Sequence, residues 1–303
     1  MEITSKEDYK LTIRGDGEMK KYFAILLLLT TIWALAACTS DSASSKDKTV
    51  KVKIGVTGSD GEVWPTLKKK AKAEGIEIEL VEFSDYTLPN QALENGDIDI
   101  NSFQHIAFLS QFNEENKTDL TPIGTTVIAP MGIYSEKVKD VSEIKEGDKI
   151  AIPDDPSNQA RALKLLESAG LITLADDFGL FGDPSKIVEN PKKLDILPVV
   201  AQQTPRVLPD VAASVINNGV AGQAGFDPVK DPIYLEDAED KNVLPYVNIF
   251  AARTKDANNE TYQKIVELYH EEEVVKAVEA DTNGGSIVVD IAKDELAKQF
   301  KGL

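Results

Sequence analysis

Strand-like and helix-like segments alternate from residue 49 onward, and this alternation limits the possible fold more than any other feature of the chain. The segment TVKVKIGV alternates apolar and polar side chains, as a half-buried strand does. The helical pattern EVWPTLKKKAKAE follows and stops at Gly75, a residue type that commonly ends helices, before a second strand-like run, IEIELVEF. A strand, a helix and a strand in succession predict an α/β fold class, with helices covering a parallel sheet.

Two long apolar runs predict where the chain passes between two lobes. A length of 303 residues suggests about two domains. The run LTPIGTTVIAPMGIYS, interrupted by Pro130 and Gly132, suits a crossing to a second lobe, and PYVNIFAART suits the return. We therefore expect one lobe from residues 49–127 plus 248–303 and the other from residues 128–247. Two such lobes can close over a solute held at the carboxyl ends of the strands.

Helical patterns later in the chain predict further helices of this fold. IAFLSQFNEEN is expected to be helical, and SNQARALKLLESAG has apolar residues on one face and stops at Gly170. RVLPDV is expected to form a short helix ahead of the strand ASVIN. ETYQKIVELYHEEEVVKAVEA is expected to form one long amphipathic helix.

The N-terminal region predicts export and lipid anchoring. Two lysines follow Met19, then come the apolar run YFAILLLLTTIWALAA and Cys38, the single cysteine of the chain. This run is shorter than the about 20 residues that a membrane-spanning helix needs, so it predicts a secretory signal. LAAC looks like a bacterial lipobox, in which the cysteine is diacylated and the chain is cut before it. We expect residues 1–37 to be an upstream extension, with translation starting at Met19, plus the signal, and residues 38–48 to be the lipidated cysteine and a flexible tether.

Composition excludes several classes of function. The chain has 33 Lys and Arg residues against 51 Asp and Glu residues, a net charge of -18. A nucleic-acid binder, or a protein held to anionic lipid by its surface charge, needs a basic face instead. Because Cys38 is the single cysteine, the globular part has no disulfide, thiolate metal site or cysteine nucleophile.

The segment PDDPSNQAR has the pattern of an anion site at the start of a helix. A strand, a turn and a helix start place Ser157 or Asn158 at the first helical positions, where backbone N–H groups are free and the helix dipole favours an anion. Arg161 lies three residues after Asn158, on the same helix face, and a guanidinium can bind a carboxylate bidentately. The residues favour equally well a second interpretation, in which the segment is a plain helix cap and Arg161 pairs with an acidic residue on the surface.

The segment DIDINSFQHIAF has residue types that bind metals or transfer protons, but few partners are available to them. Asp97 and Asp99 alternate with isoleucines and so are expected on one face of a strand. His105 is expected beyond that strand, and the other histidine, His270, lies among glutamates and is expected to face solvent. The chain also has no G-x-S-x-G motif, so the residues argue against metal and hydrolytic chemistry.

The aromatic residues of the same segment leave two interpretations open. Phe103, His105 and Phe108 can line a pocket for an apolar, polarisable side chain such as a thioether. The residues alone favour the simpler interpretation, which is core packing of two phenylalanines and a hydrogen-bonded histidine. Asn217 ends a strand before a turn, where its amide serves either the turn itself or the cleft.

Several segments are similar to those of one known family, the NlpA-type methionine-binding lipoproteins, which are substrate-binding components of ABC importers. The similarity extends from LAAC to the C-terminus, and its most specific segments are DIDINSFQH and DPSNQAR. Other matching segments are FSDYTLPNQALENG, APMGIYS, VENPKKLDI and PYVNIFAART. The resemblance implies a two-lobed periplasmic-binding-protein fold with an amino acid in the interlobe cleft.

The resemblance also implies which residues bind the ligand. Those expected around a methionine side chain are Tyr86, Phe103, His105 and Phe108. Asn158 and Arg161 would hold the α-carboxylate, and Asn217 would hydrogen-bond the polar end of the amino acid. Phe108 stands where many relatives have Tyr, and so lacks one hydroxyl. Val220 stands where an aromatic residue is common, so the cleft is expected to be wider or shaped for a different ligand.

The function implied by the resemblance is capture of L-methionine or a close analogue outside the cytoplasm. The protein would deliver it to an ABC permease driven by a cytoplasmic ATPase. It would be a monomer anchored to the cell membrane through lipid on Cys38, without cofactor, metal, catalytic residue or nucleic-acid partner. D-methionine or a methionine-containing dipeptide is the alternative ligand, and an exported hydrolase or metal-dependent enzyme is the alternative function.

Overall fold

The computed structural model describes residues 49–303, apart from the side chains of residues 241 and 242. The predicted signal, Cys38 and the tether lie outside this part of the chain. Residues 49–303 group together as one unit that contains two five-stranded sheets. None of the helices in this unit is long and apolar enough to cross a membrane.

The strands and helices of this unit alternate along most of its length. The strands are β1 (Val50–Val56), β2 (Ile76–Glu82), β3 (Ile100–His105), β4 (Leu120–Thr125), β5 (Val127–Ile128), β6 (Gly132–Tyr134), β7 (Lys149–Pro153), β8 (Thr173–Leu174), β9 (Ile187–Glu189), β10 (Asp195–Val199), β11 (Ala213–Ile216), β12 (Tyr234–Leu235), β13 (Asn248–Arg253) and β14 (Ile287–Val288). The helices are α1 (Val63–Ala73), α2 (Leu88–Asn95), α3 (Ile106–Asn116), α4 (Pro156–Ser168), α5 (Asn218–Gln223), α6 (Glu260–Tyr269), α7 (Glu272–Asp281) and α8 (Lys293–Lys301).

Both sheets are mixed rather than purely parallel. The first has the order β2-β1-β3-β13-β4, and β13 runs antiparallel to both β3 and β4. The second has the order β10-β7-β11-β6-β12, with β7 parallel to β10 and β11, and β6 antiparallel to β11 and β12. The α/β class is therefore confirmed, and the antiparallel strands are those on which the chain crosses between the sheets or returns.

Helices cover both faces of the first sheet. On one face, Leu67 of α1 and Ile265 of α6 belong to the same buried cluster as Ile54 of β1. On the other face, Leu109 of α3 packs in a second cluster with Ile249 of β13. Each fully buried aliphatic side chain of this size stabilises the fold by about 1.5–3 kcal/mol, so these two clusters fix the sheet that carries half of the site.

Helix α4 packs on the second sheet, and the side chain of its N-cap residue caps its first turn. Leu163 and Leu166 are fully buried in the cluster that contains Ile150 and Val215 of the sheet. Asp155 is the N-cap residue, and its carboxylate accepts a hydrogen bond from the backbone N–H of Asn158 at 3.0 Å. The predicted helix start in PDDPSNQAR is therefore confirmed, and the residues of its first turn lie just beyond the carboxyl end of β7.

Several predictions about individual elements and residues are wrong. Asp97 and Asp99 precede β3 instead of lying in it, and His105 is the last residue of that strand rather than beyond it. The segment RVLPDV forms turns instead of a helix. The predicted long helix breaks after α6 at His270, which is half-buried with its Nε2 2.9 Å from the carbonyl oxygen of Thr125, so it does not face solvent. The break lets Val274 of α7 enter the core that α6 also covers.

Candidate ligand-binding site

A cavity of about 270 Å³ opens where the central strands of the two sheets end. Thr57 follows β1, His105 ends β3 and Asn217 follows β11, and all three line the cavity. In α/β proteins the carboxyl ends of such strands are where ligands bind. All the residues predicted for the site line this one cavity: Tyr86, Phe103, His105, Phe108, Asn158, Arg161 and Asn217.

One end of the cavity is a cage of aromatic rings. The ring centroids of Tyr86, Phe103 and Phe108 lie 5.7 to 6.1 Å from one another. Phe103 and His105 are two residues apart on β3 and so point to the same side of the sheet, while Phe108 comes from the first turn of α3. The imidazole of His105 meets Phe108 edge-on, with 6.1 Å between ring centroids. These rings form a mostly apolar, polarisable wall.

The hydrogen bonds of His105 show that its ring is neutral. His105 is the N-cap residue of α3, and its Nδ1 accepts the backbone N–H of Phe108 at 3.1 Å. Nε2 must then carry the proton, and it donates to Oδ1 of Asn158 at 3.2 Å. Burial first, and the nearby charge of Arg161 second, lower the pKa of His105 to about 3. The ring therefore acts as a neutral hydrogen-bond bridge and carries no charge near neutral pH.

The side chain of Asn158 is fully occupied by protein partners. Its Nδ2 donates to both carboxylate oxygens of Asp155 at 2.9 and 3.0 Å. Its Oδ1 accepts from His105 and from Nδ2 of Asn217 at 2.7 Å. Because the bond to His105 crosses from the first sheet to the second, Asn158 ties the two sides of the cavity together. In this arrangement the Asn158 amide has no free atom for a ligand carboxylate, and Asp155 also occupies the backbone N–H of Asn158 at the helix start.

Arg161 is held in place by a largely buried carboxylate that the sequence analysis missed. Its Nε donates to Oε1 of Glu236 at 2.9 Å, and its Nη2 makes an ion pair with Oε2 of the same residue. Nη2 also donates to the carbonyl oxygen of Ala129 at 3.0 Å, and Cζ lies 4.6 Å from the ring centroid of Tyr246. Burial alone would lower the pKa of Arg161, but the charge of Glu236 raises it above its ordinary value.

The unused atoms of the site define what it offers to a ligand. Within residues 49–303, Arg161 Nη1 has no hydrogen-bond partner. Oδ1 of Asn217 and Nδ2 of Asn218 are buried and also lack partners there. Buried polar atoms are costly to leave unpaired, by about 1–3 kcal/mol each. The cavity therefore combines an aromatic end with two free donors and one free acceptor.

Two further hydrogen bonds join elements on the two sides of the cavity. Gln223 Nε2 donates to the carbonyl oxygen of Thr57, and Asn283 Nδ2 lies 3.4 Å from Oδ2 of Asp227. Together with the bond between His105 and Asn158, these contacts link the segments that flank the first sheet to those that flank the second at three separate points.

Several other residues that the sequence analysis considered lie away from the cavity. Asp99 accepts the backbone N–H of Lys53 at 2.7 Å, which fixes the turn before β3. Within the described part of the chain, no group of three or more His, Cys, Asp and Glu side chains is placed to hold a metal ion. Val220 is buried in a cluster with Tyr134 and Leu208 and is not among the residues that line the cavity.

Two lobes around a cavity with an aromatic end and free polar atoms define a solute-binding protein of the periplasmic-binding-protein fold. Comparison with known proteins gives the family. The chain belongs to the NlpA lipoprotein family, whose model matches residues 52–289. It is 41% identical over 271 residues to the D-methionine-binding lipoprotein MetQ of Salmonella typhimurium, covering 88% of this chain and 97% of the relative.

Solved structures agree with this assignment. The chain is 53% identical to protein PG110 from Staphylococcus aureus, with a TM-score of 0.81 and coverage of 83% of this chain and 98% of the other. A nutrient-binding protein from Burkholderia cenocepacia bound to methionine is 40% identical, with a TM-score of 0.74 and coverage of 79% and 99%. The predicted family and two-lobed fold are therefore confirmed.

Proposed function

We propose that this protein is a lipid-anchored, non-catalytic solute-binding protein that captures L-methionine or a close analogue outside the cytoplasm. It would hand the amino acid to an ABC permease driven by a cytoplasmic ATPase. Cys38 would carry the lipid, and the globular part would act as a monomer. The lobes would comprise residues 49–127 plus 248–303 and residues 128–247, a division supported by the return of β13 to the first sheet.

One observation carries the proposal: the same cavity has an aromatic end and a polar end with complementary free atoms. Tyr86, Phe103 and Phe108 would contact the thioether, because sulfur packs favourably against aromatic rings. At the other end, Arg161 Nη1 would donate to the α-carboxylate, and Asn217 Oδ1 would accept from the α-ammonium group. A zwitterion with a short thioether side chain uses each of these features.

A methionine-containing dipeptide is a second candidate ligand, favoured by Asn218. Its Nδ2 is a buried donor without a partner among the described residues, and a dipeptide offers it a peptide carbonyl as an acceptor besides the carboxylate. The cavity also continues into a neighbouring cavity of about 420 Å³ that shares Asn218 and Ser286 with it. A peptide carbonyl on the amino side of methionine would supply the missing acceptor there.

Calorimetry on the purified protein distinguishes these ligands. The affinity for L-methionine is compared with the affinities for D-methionine and for a dipeptide that has methionine at its carboxyl end. We expect L-methionine to bind. N217A should weaken L-methionine and D-methionine by about tenfold or more, since a hydrogen bond to a charged group is worth about 1.5–3 kcal/mol. N218A is the matched control: it should leave methionine unchanged and weaken only the dipeptide. Absence of binding of all three ligands to the wild type would refute the proposed function.

A further inference from the structure

A second cavity lies behind the aromatic cage. Its volume is about 250 Å³, and the residues that it shares with the main cavity are Tyr86 and Phe108. These two rings meet edge to face with 6.1 Å between centroids, so they are in contact. They therefore form the partition between two spaces of similar size.

Phe108 is the fixed member of this partition. Its ring packs edge-on against Phe103, with 5.7 Å between centroids, and also against His105. Its backbone N–H is tied to His105 Nδ1. Tyr86 lies in the turn before α2, whereas Phe108 is anchored in the first turn of α3. The position of the partition is thus set mainly by α3.

The second cavity continues along the same face of α3. Gln111, Phe112 and Glu115 line it, three, four and seven residues after Phe108, a spacing that places them on one side of a helix. The opposite wall comes from the start of α4, where Pro156 and others contribute. An extended chain passing the position of the Phe108 ring would therefore run past the half-buried Phe112 ring one turn further on.

We propose that Phe108 sets the maximum length of the ligand side chain, and that a small residue at this position joins the two cavities and admits S-alkyl homocysteines longer than methionine. This inference rests on the proposed function, because it requires the methionine side chain to point into the aromatic cage. In the wild type the thioether methyl group meets the Phe108 ring. Each further methylene group has no space in front of that ring.

The test is calorimetry with a series of ligands whose S-alkyl group lengthens by one carbon at a time: L-methionine and the S-ethyl, S-propyl and S-butyl homocysteines. For the wild type we expect affinity to fall by about tenfold or more per added methylene group, as is usual for a closed apolar pocket. F108A should bind methionine at least about tenfold more weakly and S-butyl homocysteine at least as tightly as methionine. F112L changes a residue that lines the second cavity but not the main one, and it should leave the wild-type series unaltered.

Failure of this inference can be told apart from failure of the proposed function. If wild-type protein does not bind methionine, the proposed function is wrong. If it binds methionine but F108A gains no affinity for the longer members, or if the wild type tolerates them, Phe108 does not set the limit. A shift of the series by F112L would also overturn the inference. If F108A does not fold, F108L takes its place. The inference then requires F108L to bind at least S-ethyl homocysteine more tightly than the wild type does.

Discussion

Glu236 is predicted to stabilise the fold because it neutralises a buried arginine. The side chains of Arg161 and Glu236 are 4% and 12% exposed, so neither charge is well solvated. Replacing Glu236 by Ala removes both of its bonds to the guanidinium. It also removes the acceptor for the backbone N–H of Met131, which lies 3.0 Å from Oε2. Leaving one partner of a buried pair uncompensated costs about 3–5 kcal/mol, and we expect E236A to lose stability in this range.

The magnitude can be measured against an exposed pair of the same chemistry. Lys51 and Glu77 are 3.2 Å apart on neighbouring strands, and their side chains are 65% and 54% exposed. E77A should cost no more than about 1 kcal/mol, because water solvates the remaining lysine. Both variants should be compared with the wild type by urea unfolding, followed by circular dichroism.

A double variant separates the pair from general damage to the core. In R161A together with E236A no unpaired charge remains, so its loss of stability should be clearly smaller than the sum of the two single losses. E236Q should lie between the wild type and E236A, since one amide oxygen still accepts from Arg161. The reasoning is refuted if the free energy of unfolding of E236A lies within about 1 kcal/mol of the wild-type value, which is the result expected for E77A.

Two further predictions concern groups that orient the site. The pKa of His105 is about 3 in the folded protein against 6.5 for an ordinary histidine, so between these values the unfolded chain binds a proton that the folded chain does not. The free energy of unfolding should therefore fall as pH drops through this window, by at most about 1.4 kcal/mol per pH unit. In urea titrations this fall should be steeper for the wild type than for H105Q. Equal slopes for the two proteins would contradict the lowered pKa of His105. D155A removes the helix cap and the acceptor for Asn158 Nδ2, so it should cost about 1–2 kcal/mol in urea unfolding and weaken methionine binding in calorimetry. Unchanged affinity would mean that Asp155 does not position Asn158.

Local patterns in the sequence predicted the elements that depend on local forces. Alternation and a terminal glycine identified β1, α1 and β2, because each pattern reflects which side chains of that segment are buried. The helix break at His270 was missed, since the charged and apolar residues on both sides continue one amphipathic pattern. That break depends on contacts with Thr125 and with the core under α7, which are distant in the sequence.

The site shows the same division. The residues inside the two distinctive segments were recognisable, but Glu236 lies 75 residues from Arg161 and has no motif of its own. Without Glu236, the sequence suggests that the whole guanidinium fork is open to a ligand carboxylate. The structure leaves only Nη1, so under the proposed function a ligand carboxylate meets one nitrogen of Arg161 instead of two. A single bond gives less affinity and less orientation than a bidentate pair. The aromatic cage and Asn217 must then supply a larger share of ligand affinity than a reading of Arg161 alone would assign to them.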